Sequence, residues 1–405
     1  MTYKMTGIAQ RAQRVSPSLT LEITAKAKKM RAEGKPVVSF GAGEPDFNTP
    51  QYIVKAAERA LKEGMTKYTP ASGTDAVKKA IAAKLEKDNH LKYELNQIVV
   101  SNGAKHSLYN AFLALVNPGD EVIVPAPYWL TYPELIKLCE GIPVFVNTKA
   151  ENDFKLTPSE LKNAITSKTK AVLINNPCNP TGAVYSKEEL CALAEVLEKT
   201  DVYVVSDEIY EKLVYEGGEY YSIAQHSPAL KERTVVIGGV SKTYSMTGWR
   251  IGYTASSETV AKAMGGIQSH TTSNPNSIAQ YAASEAYSHN EGDAFLSDMK
   301  KTFDTRRKFM IERLKKIPEL EFVYPKGAFY VMLNVAHLFG KSTESGKKLS
   351  SAYDVATELL AEKMVAAIPC ESFGAPEYLR LSYAISLDDI KTGLERIADF
   401  ISSLA

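Results

Sequence analysis

Five short runs rich in β-branched residues, at 97–101, 121–124, 171–175, 202–206 and 234–238, recur along the middle of the chain. Each is bounded by Asn, Pro, Asp or Gly, and amphipathic stretches lie between them. Such runs fit strands buried on both faces, which occur in parallel sheets covered by helices. Strand–helix alternation of this kind predicts an α/β fold with a largely parallel sheet.

The helices carry their own start signals. Ser186 with Glu189 makes a capping-box pattern, after which Leu190, Leu193, Ala194 and Leu197 recur at helical spacing. Thr157 and Glu160 repeat it, with Pro158 at the first helical position. A further helix is expected to begin near Ser107. After about Asn290 the texture changes: a long charged helix over 295–317 leads into alternating strand patterns near 321–324, 328–333 and 378–383. These predict a second, smaller α+β unit closing over the first.

Composition narrows the function. The chain has 405 residues with a formal net charge of +1, so nothing favours nucleic acid or an anionic membrane, and a small-molecule ligand fits better. With 44% hydrophobic and 23% charged residues it has material for a large core. Cys139, Cys178, Cys191 and Cys370 lack C-x-x-C spacing and are expected to be free thiols, with no metal site. Residues 1–13 show no apolar stretch followed by a small-residue cleavage site, so a cytoplasmic location is expected.

The segment 239–250, Gly-Val-Ser-Lys-Thr-Tyr-Ser-Met-Thr-Gly-Trp-Arg, carries the strongest chemical signal. Lys242 could be an ordinary loop lysine, but a strand precedes it and Gly, Trp and an apolar stretch follow, which argues for burial. A desolvated lysine near a second cation, here Arg250, has a lowered pKa and attacks carbonyls. Asp207 ends another apolar run, where open α/β sheets place ligands; a helix cap is the plainer role. Residues 175–182, Asn-Asn-Pro-Cys-Asn-Pro-Thr-Gly, force a turn after a third run.

Together these segments resemble the motifs of class I/II pyridoxal-phosphate-dependent aminotransferases of fold type I, above all the bacterial aspartate-specific group. The likeness spans essentially the whole chain. It implies a large unit, 49–290, with a mostly parallel seven-stranded sheet flanked by helices, and a smaller α+β unit from both chain ends, 1–48 and 291–405. It implies pyridoxal 5'-phosphate held by Lys242 as a Schiff base, with Lys242 then acting as base and acid on the α-proton. By the same likeness Asp207 pairs with the ring nitrogen, Tyr210 and Asn179 touch the ring oxygen, and Trp129 lies on the ring. Gly103, Ala104, Lys105 and Arg250 cradle the phosphate, with Tyr68 reaching it from a second subunit of a homodimer, and Ser241 contacts the cofactor beside Lys242. Arg380 clamps the substrate α-carboxylate, and Gly43, Trp129 and Asn179 adjoin the substrate. A cis bond before Pro180 is expected. Taken without the likeness, Trp129 fits core and Arg380 fits a solvent-facing strand position.

The implied reaction moves the amino group of L-aspartate to 2-oxoglutarate by a ping-pong route. The positions at which the likeness implies a cation for the distal carboxylate in some relatives are Leu113 and Ser16 here, and neither is charged. The segment 269–275, with His270, is a candidate substitute, though a lone histidine is more often structural. Aminotransfer from aromatic amino acids, alanine or prephenate, or a β-lyase reaction, would use the same residues. A cofactor-sensing DNA-binding regulator needs a basic N-terminal domain, whereas the pattern already begins at 14–18. A dinucleotide binder needs a G-x-G-x-x-G in its first strand–helix unit, which is missing.

Overall fold

The computed structural model describes residues 7–16, 19–318 and 320–405; part of the 1–13 and 14–18 stretches read above lies outside them. In chain order the first strands are β1 Val38–Ser39, β2 Ile98–Ser101, β3 Glu121–Ala126, β4 Ile142–Asn147, β5 Thr169–Asn175, β6 Tyr203–Asp207, β7 Thr234–Gly239 and β8 Gly252–Ala255. Then come β9 Glu321–Phe322, β10 Tyr330–Asn334, β11 Val365–Ala366, β12 Ile368–Pro369 and β13 Tyr378–Ser382.

Strands β2 to β8 form one seven-stranded sheet in the order β2-β8-β7-β6-β5-β3-β4. All run in one direction except β8, which is antiparallel to both neighbours. The continuous apolar runs are explained by burial on both faces. Val122, Val124, Leu173 and Val205 pack with Leu108 and Phe112 on one side. The alternate residues Ile123, Val172, Ile174 and Val204 pack with Leu190 and Leu193 on the other. Each such side chain contributes about 1.5–3 kcal/mol by leaving water.

A four-stranded antiparallel sheet, β12-β13-β10-β9, and the parallel pair β1-β11 form a second layer system. The β1-β11 pairing joins the N-terminal segment to the C-terminal part of the chain. The long helix spans Glu291–Leu314, a few residues upstream of the predicted 295–317, with Glu291 and Asp293 in its first turn where the helix dipole favours them. Both predicted capping boxes form, at Ser186/Glu189 and Thr157/Glu160. The helix expected near Ser107 starts at Ala104, because Gly103 with φ 86° ends the turn directly after β2. Among the described residues no helix is long and apolar enough to cross a membrane, and no cluster of metal-ligating side chains occurs.

Candidate active site

The carboxyl ends of β5, β6 and β7 lie side by side, with Asn175 opposite Asp207 and Asp207 opposite Ile237. Beyond them opens a cavity of about 440 Å³. Its walls bring together Gly43, Ala104, Lys105, Trp129, Asn179, Asp207, Tyr210, Ser241, Lys242, Arg250 and Arg380. Gly103 borders it beneath Arg250.

Lys242 sits in the short helix Val240–Thr243 that caps β7. Its ammonium donates to the Gly43 carbonyl at 2.5 Å and lies 5.9 Å from the ring centres of Tyr210 and Phe329. Loss of water pushes its pKa down to about 8; Arg380 and Arg250 push the same way, while Glu44 and Asp207 oppose them. The result is an amine close to neutrality in its proton affinity.

Asp207 is 2% exposed, at the end of β6. Burial pushes its carboxyl up to about 6, against the opposing pull of hydrogen bonds from Tyr132 and the Ile209 N–H and the charge of Lys242. The 175–182 turn is tied to the same strand: Asn175 Nδ2 and the Asn176 N–H both donate to the Asp207 carbonyl, at 3.0 and 3.1 Å. Asn175 Oδ1 in turn accepts from the Asn179 N–H at 2.8 Å. The Asn179–Pro180 bond is cis, as expected, and so is Asn176–Pro177.

Arg380 comes from β13 of the second sheet and is 3% exposed, so the solvent-facing alternative does not hold. Its Nη1 donates to Asn179 Oδ1 at 2.9 Å, and its guanidinium lies over the rings of Tyr330 at 4.4 Å and Phe373 at 5.2 Å. Its Nε is buried with no protein acceptor. Such a group is costly unless something arrives to accept from it.

At the other end, Arg250 holds the left-handed conformation, φ 57°, and donates to the Thr247 carbonyl at 2.9 Å. Its guanidinium rests on Gly103, where an added Cβ would stand 2.3 Å from Nη2. The helix Ala104–Leu115 begins at that point, so a guanidinium and a helix N-terminus meet, two devices that attract an anion. Lys105, in the first turn, lies 4.8 Å from the Trp129 ring, and burial and Arg250 both lower its pKa.

Tyr68 is 90% exposed and does not line the cavity of its own chain. Nor do the exposed Ser269 and His270. Leu113 is half-buried and packs against the core, and the Ser16 N–H donates to Glu134 at 3.0 Å.

Among the wall residues that escaped the sequence reading are Tyr132 and Tyr330. The Tyr132 hydroxyl donates to Asp207 Oδ2 at 2.8 Å, and the Tyr330 and Tyr210 hydroxyls are 3.0 Å apart. Both are 1% exposed, and buried tyrosines ordinarily read as core. The available hints were position alone: Tyr132 lies three residues after Trp129, and Tyr330 lies within the predicted strand 328–333.

Comparison with known proteins gives these features a family. The profile "Aminotransferase class I and II" matches residues 35–397. The aspartate aminotransferase of Bacillus subtilis (strain 168) is 50% identical over 394 residues, covering 97% of this chain and 98% of that protein. The structure of the aspartate aminotransferase from Rhizobium meliloti superposes with a TM-score of 0.94 at 42% identity, covering 99% of this chain and 100% of that one. That of Thermus thermophilus with maleate gives 0.92 at 40% identity, covering 98% and 100%. With fold and sequence in agreement, the chain belongs to the class I and II aminotransferases.

Proposed function

We propose that the protein carries pyridoxal 5'-phosphate and transfers the amino group of L-aspartate to 2-oxoglutarate, giving oxaloacetate and L-glutamate. The observation that carries this is the meeting of Lys242, its pKa lowered to about 8, with Asp207 and Arg380 on one cavity. The residues fit the cofactor. A buried carboxylate suits a ring nitrogen, the Arg250–Gly103 cradle suits a phosphate, and Trp129 offers a ring face. Ser241 and the first-turn amides of Ala104 and Lys105 complete the phosphate contacts, and Tyr210 and Asn179 serve the ring oxygen.

When bound, the group supplies an electron-poor ring that accepts the electron pair left by a departing α-proton. The chain's residues do the rest. Arg380 grips the substrate α-carboxylate, offering the Nε that otherwise lacks an acceptor. Gly43 leaves room for substrate beside its backbone: a Cβ there would come no nearer than 3.8 Å to Tyr330. The Lys242 amine takes the α-proton and returns it, a role its lowered pKa suits. Its position at 2.5 Å from the Gly43 carbonyl puts the shuttle beside the substrate subsite.

The distal carboxylate of aspartate needs a cation. With Arg380, Arg250 and Lys242 engaged, the cation left on the cavity wall is Lys105. Its backbone serves the phosphate while its ammonium, held over Trp129, meets the distal group. The exposed Tyr68 fits a contribution to the phosphate of a second copy in a homodimer. Movement of the unit formed by 1–48 and 291–405 over 49–290 would bring Arg380 onto the substrate and exclude water. A cytoplasmic location accords with substrates of this kind.

The test is purified protein, native and Lys242→Ala, supplied with the cofactor. Native protein should show a visible absorption band that moves to shorter wavelength with aspartate and returns with 2-oxoglutarate. The variant should lose at least about 10²–10⁴-fold in turnover, the range for a positioned general base. A colourless native protein after reconstitution overturns the cofactor assignment. Equal kcat/KM for aspartate, alanine, phenylalanine and prephenate overturns the substrate assignment, and release of pyruvate and ammonia without an acceptor indicates a lyase instead.

A further inference from the structure

Tyr132 belongs to no motif, yet it stands at a junction. It lies in the first turn of the helix Thr131–Leu138 and is 1% exposed. Its ring meets Trp129 edge-on, with centroids 5.5 Å apart and planes at 85°. Its hydroxyl donates to Asp207 Oδ2 at 2.8 Å, while Asp207 Oδ1 takes a longer bond of 3.3 Å from the Ile209 N–H. Both side chains line the cavity.

We propose that Tyr132 is a positioning residue: its hydroxyl keeps Asp207 ionised with Oδ1 available to the cofactor's ring nitrogen, and its ring braces Trp129. This rests on the pyridoxal-phosphate reading given above.

The argument is one of competing bases. One proton lies between the Asp207 carboxylate and a ring nitrogen, and catalysis needs it on nitrogen. Every donor to the carboxylate makes that carboxylate a weaker base, so the proton stays on the ring. Around Asp207 stand Tyr132, Tyr210, Lys242 and Cys178. Burial raises the pKa of both tyrosines well above the ordinary value, and that of Cys178 as well, so all three hold their protons. Lys242 is committed to the cofactor. Among these four side chains Tyr132 is the one whose hydrogen bond reaches a carboxylate oxygen. Removing it leaves a buried carboxylate short of a donor, and the proton moves from ring nitrogen to oxygen with no change in total charge.

The experiment uses holoenzyme reconstituted with pyridoxal phosphate labelled with ¹⁵N in the ring. The ¹⁵N resonance is followed against pH for native protein and Tyr132→Phe, alongside the melting temperature of the cofactor-free forms. Native protein should show a protonated ring nitrogen across the neutral range. In Y132F the resonance should move toward that of neutral pyridine, and kcat/KM should fall by about ten-fold or more, as expected for a hydrogen bond to a buried charge. A purely structural role would lower the melting temperature without moving the resonance, and coincident titrations of native and Y132F overturn the proposal. If Y132F does not fold, 4-aminophenylalanine at position 132, which keeps the ring and a weaker donor, decides. A shift toward neutral pyridine supports the proposal and no shift overturns it. A native protein that binds no cofactor, or binds it with an unprotonated ring, defeats the underlying reading itself.

Discussion

Arg380, on a strand of the second sheet, and Asn179, in the turn after β5, meet at 2.9 Å through Nη1 and Oδ1, leaving the buried Arg380 Nε without a protein acceptor. The contact ties the proposed substrate clamp to the turn proposed to adjoin the ring oxygen. It also orients the guanidinium fork before substrate arrives, a form of preorganisation.

Loss of the fork should therefore hurt more than loss of charge. Arg380→Lys keeps the charge but cannot present two parallel donors. Its kcat/KM for aspartate should fall by about 10²-fold or more, with much of the loss in KM, as for truncating a buried charged partner worth about 3 kcal/mol. Steady-state kinetics with both aspartate and 2-oxoglutarate would check this. Unchanged KM values for both would remove Arg380 from the substrate site.

Lys105 makes a sharper discrimination possible. If its ammonium meets the distal carboxylate, Lys105→Gln should lower kcat/KM for aspartate by about ten-fold or more, one charge-assisted hydrogen bond. Activity toward phenylalanine or alanine should stay within about two-fold, since neither carries that carboxylate and the backbone cradle is untouched. Equal losses for all substrates would return the Lys105 side chain to cofactor binding alone.

The core strands were legible where both faces are buried. In β5, β6 and β7 the buried apolar residues alternate between clusters on the two faces of the sheet, so the run itself is apolar and β-branched. Strands β4 and β8 were not read as strands. The edge strand β4 leaves Ile142 46% and Phe145 45% exposed and contains Pro143, so it lacks the continuous apolar run. The strand β8 is short and begins with Gly252, at a spot where a Cβ would stand 2.3 Å from the Ala104 nitrogen. Motif residues such as Lys242, Asp207 and Asn179 could be found because their neighbours form short fixed patterns. Tyr132 could not: its partner Asp207 is 75 positions away, and a tyrosine between Thr131 and Pro133 carries no mark of the bond it makes.

Arg307 tests the scaffold rather than the chemistry. Fully buried in the long helix, it donates from Nε and Nη2 to Asp304 Oδ1, from Nη2 to Glu216, and from Nη1 to the Pro325 carbonyl. Replacement by Met leaves the Pro325 carbonyl without its donor and removes the buried member of two pairs, although Asp304 keeps Lys308 and Glu216 keeps Tyr324. The cost should be about 3 kcal/mol, the lower end for breaking a buried pair, because Asp304 and Glu216 keep some access to water. Thermal or denaturant unfolding measures it, and a variant as stable as the native protein would mean that the network contributes nothing net.

Lys242 offers a test by pH. Its pKa of about 8, against 10.5 for an ordinary lysine, means that in cofactor-free protein the reactive amine becomes populated as pH rises through about 8. Capture of a small neutral aldehyde, trapped by borohydride reduction and read by mass spectrometry of the Lys242 peptide, should climb with pH and level off above about 8. Surface lysines should still be gaining reactivity there. Linkage has a definite sign: between about 8 and 10.5 the unfolded chain binds a proton that the folded chain has released, so stability should increase with pH across that window. The burden on the fold is greatest below about 8, where the buried ammonium must stay charged. In Lys242→Met both the aldehyde capture at this site and this part of the pH dependence should vanish. A capture midpoint near 10.5 in the native protein would mean that desolvation does not activate the amine.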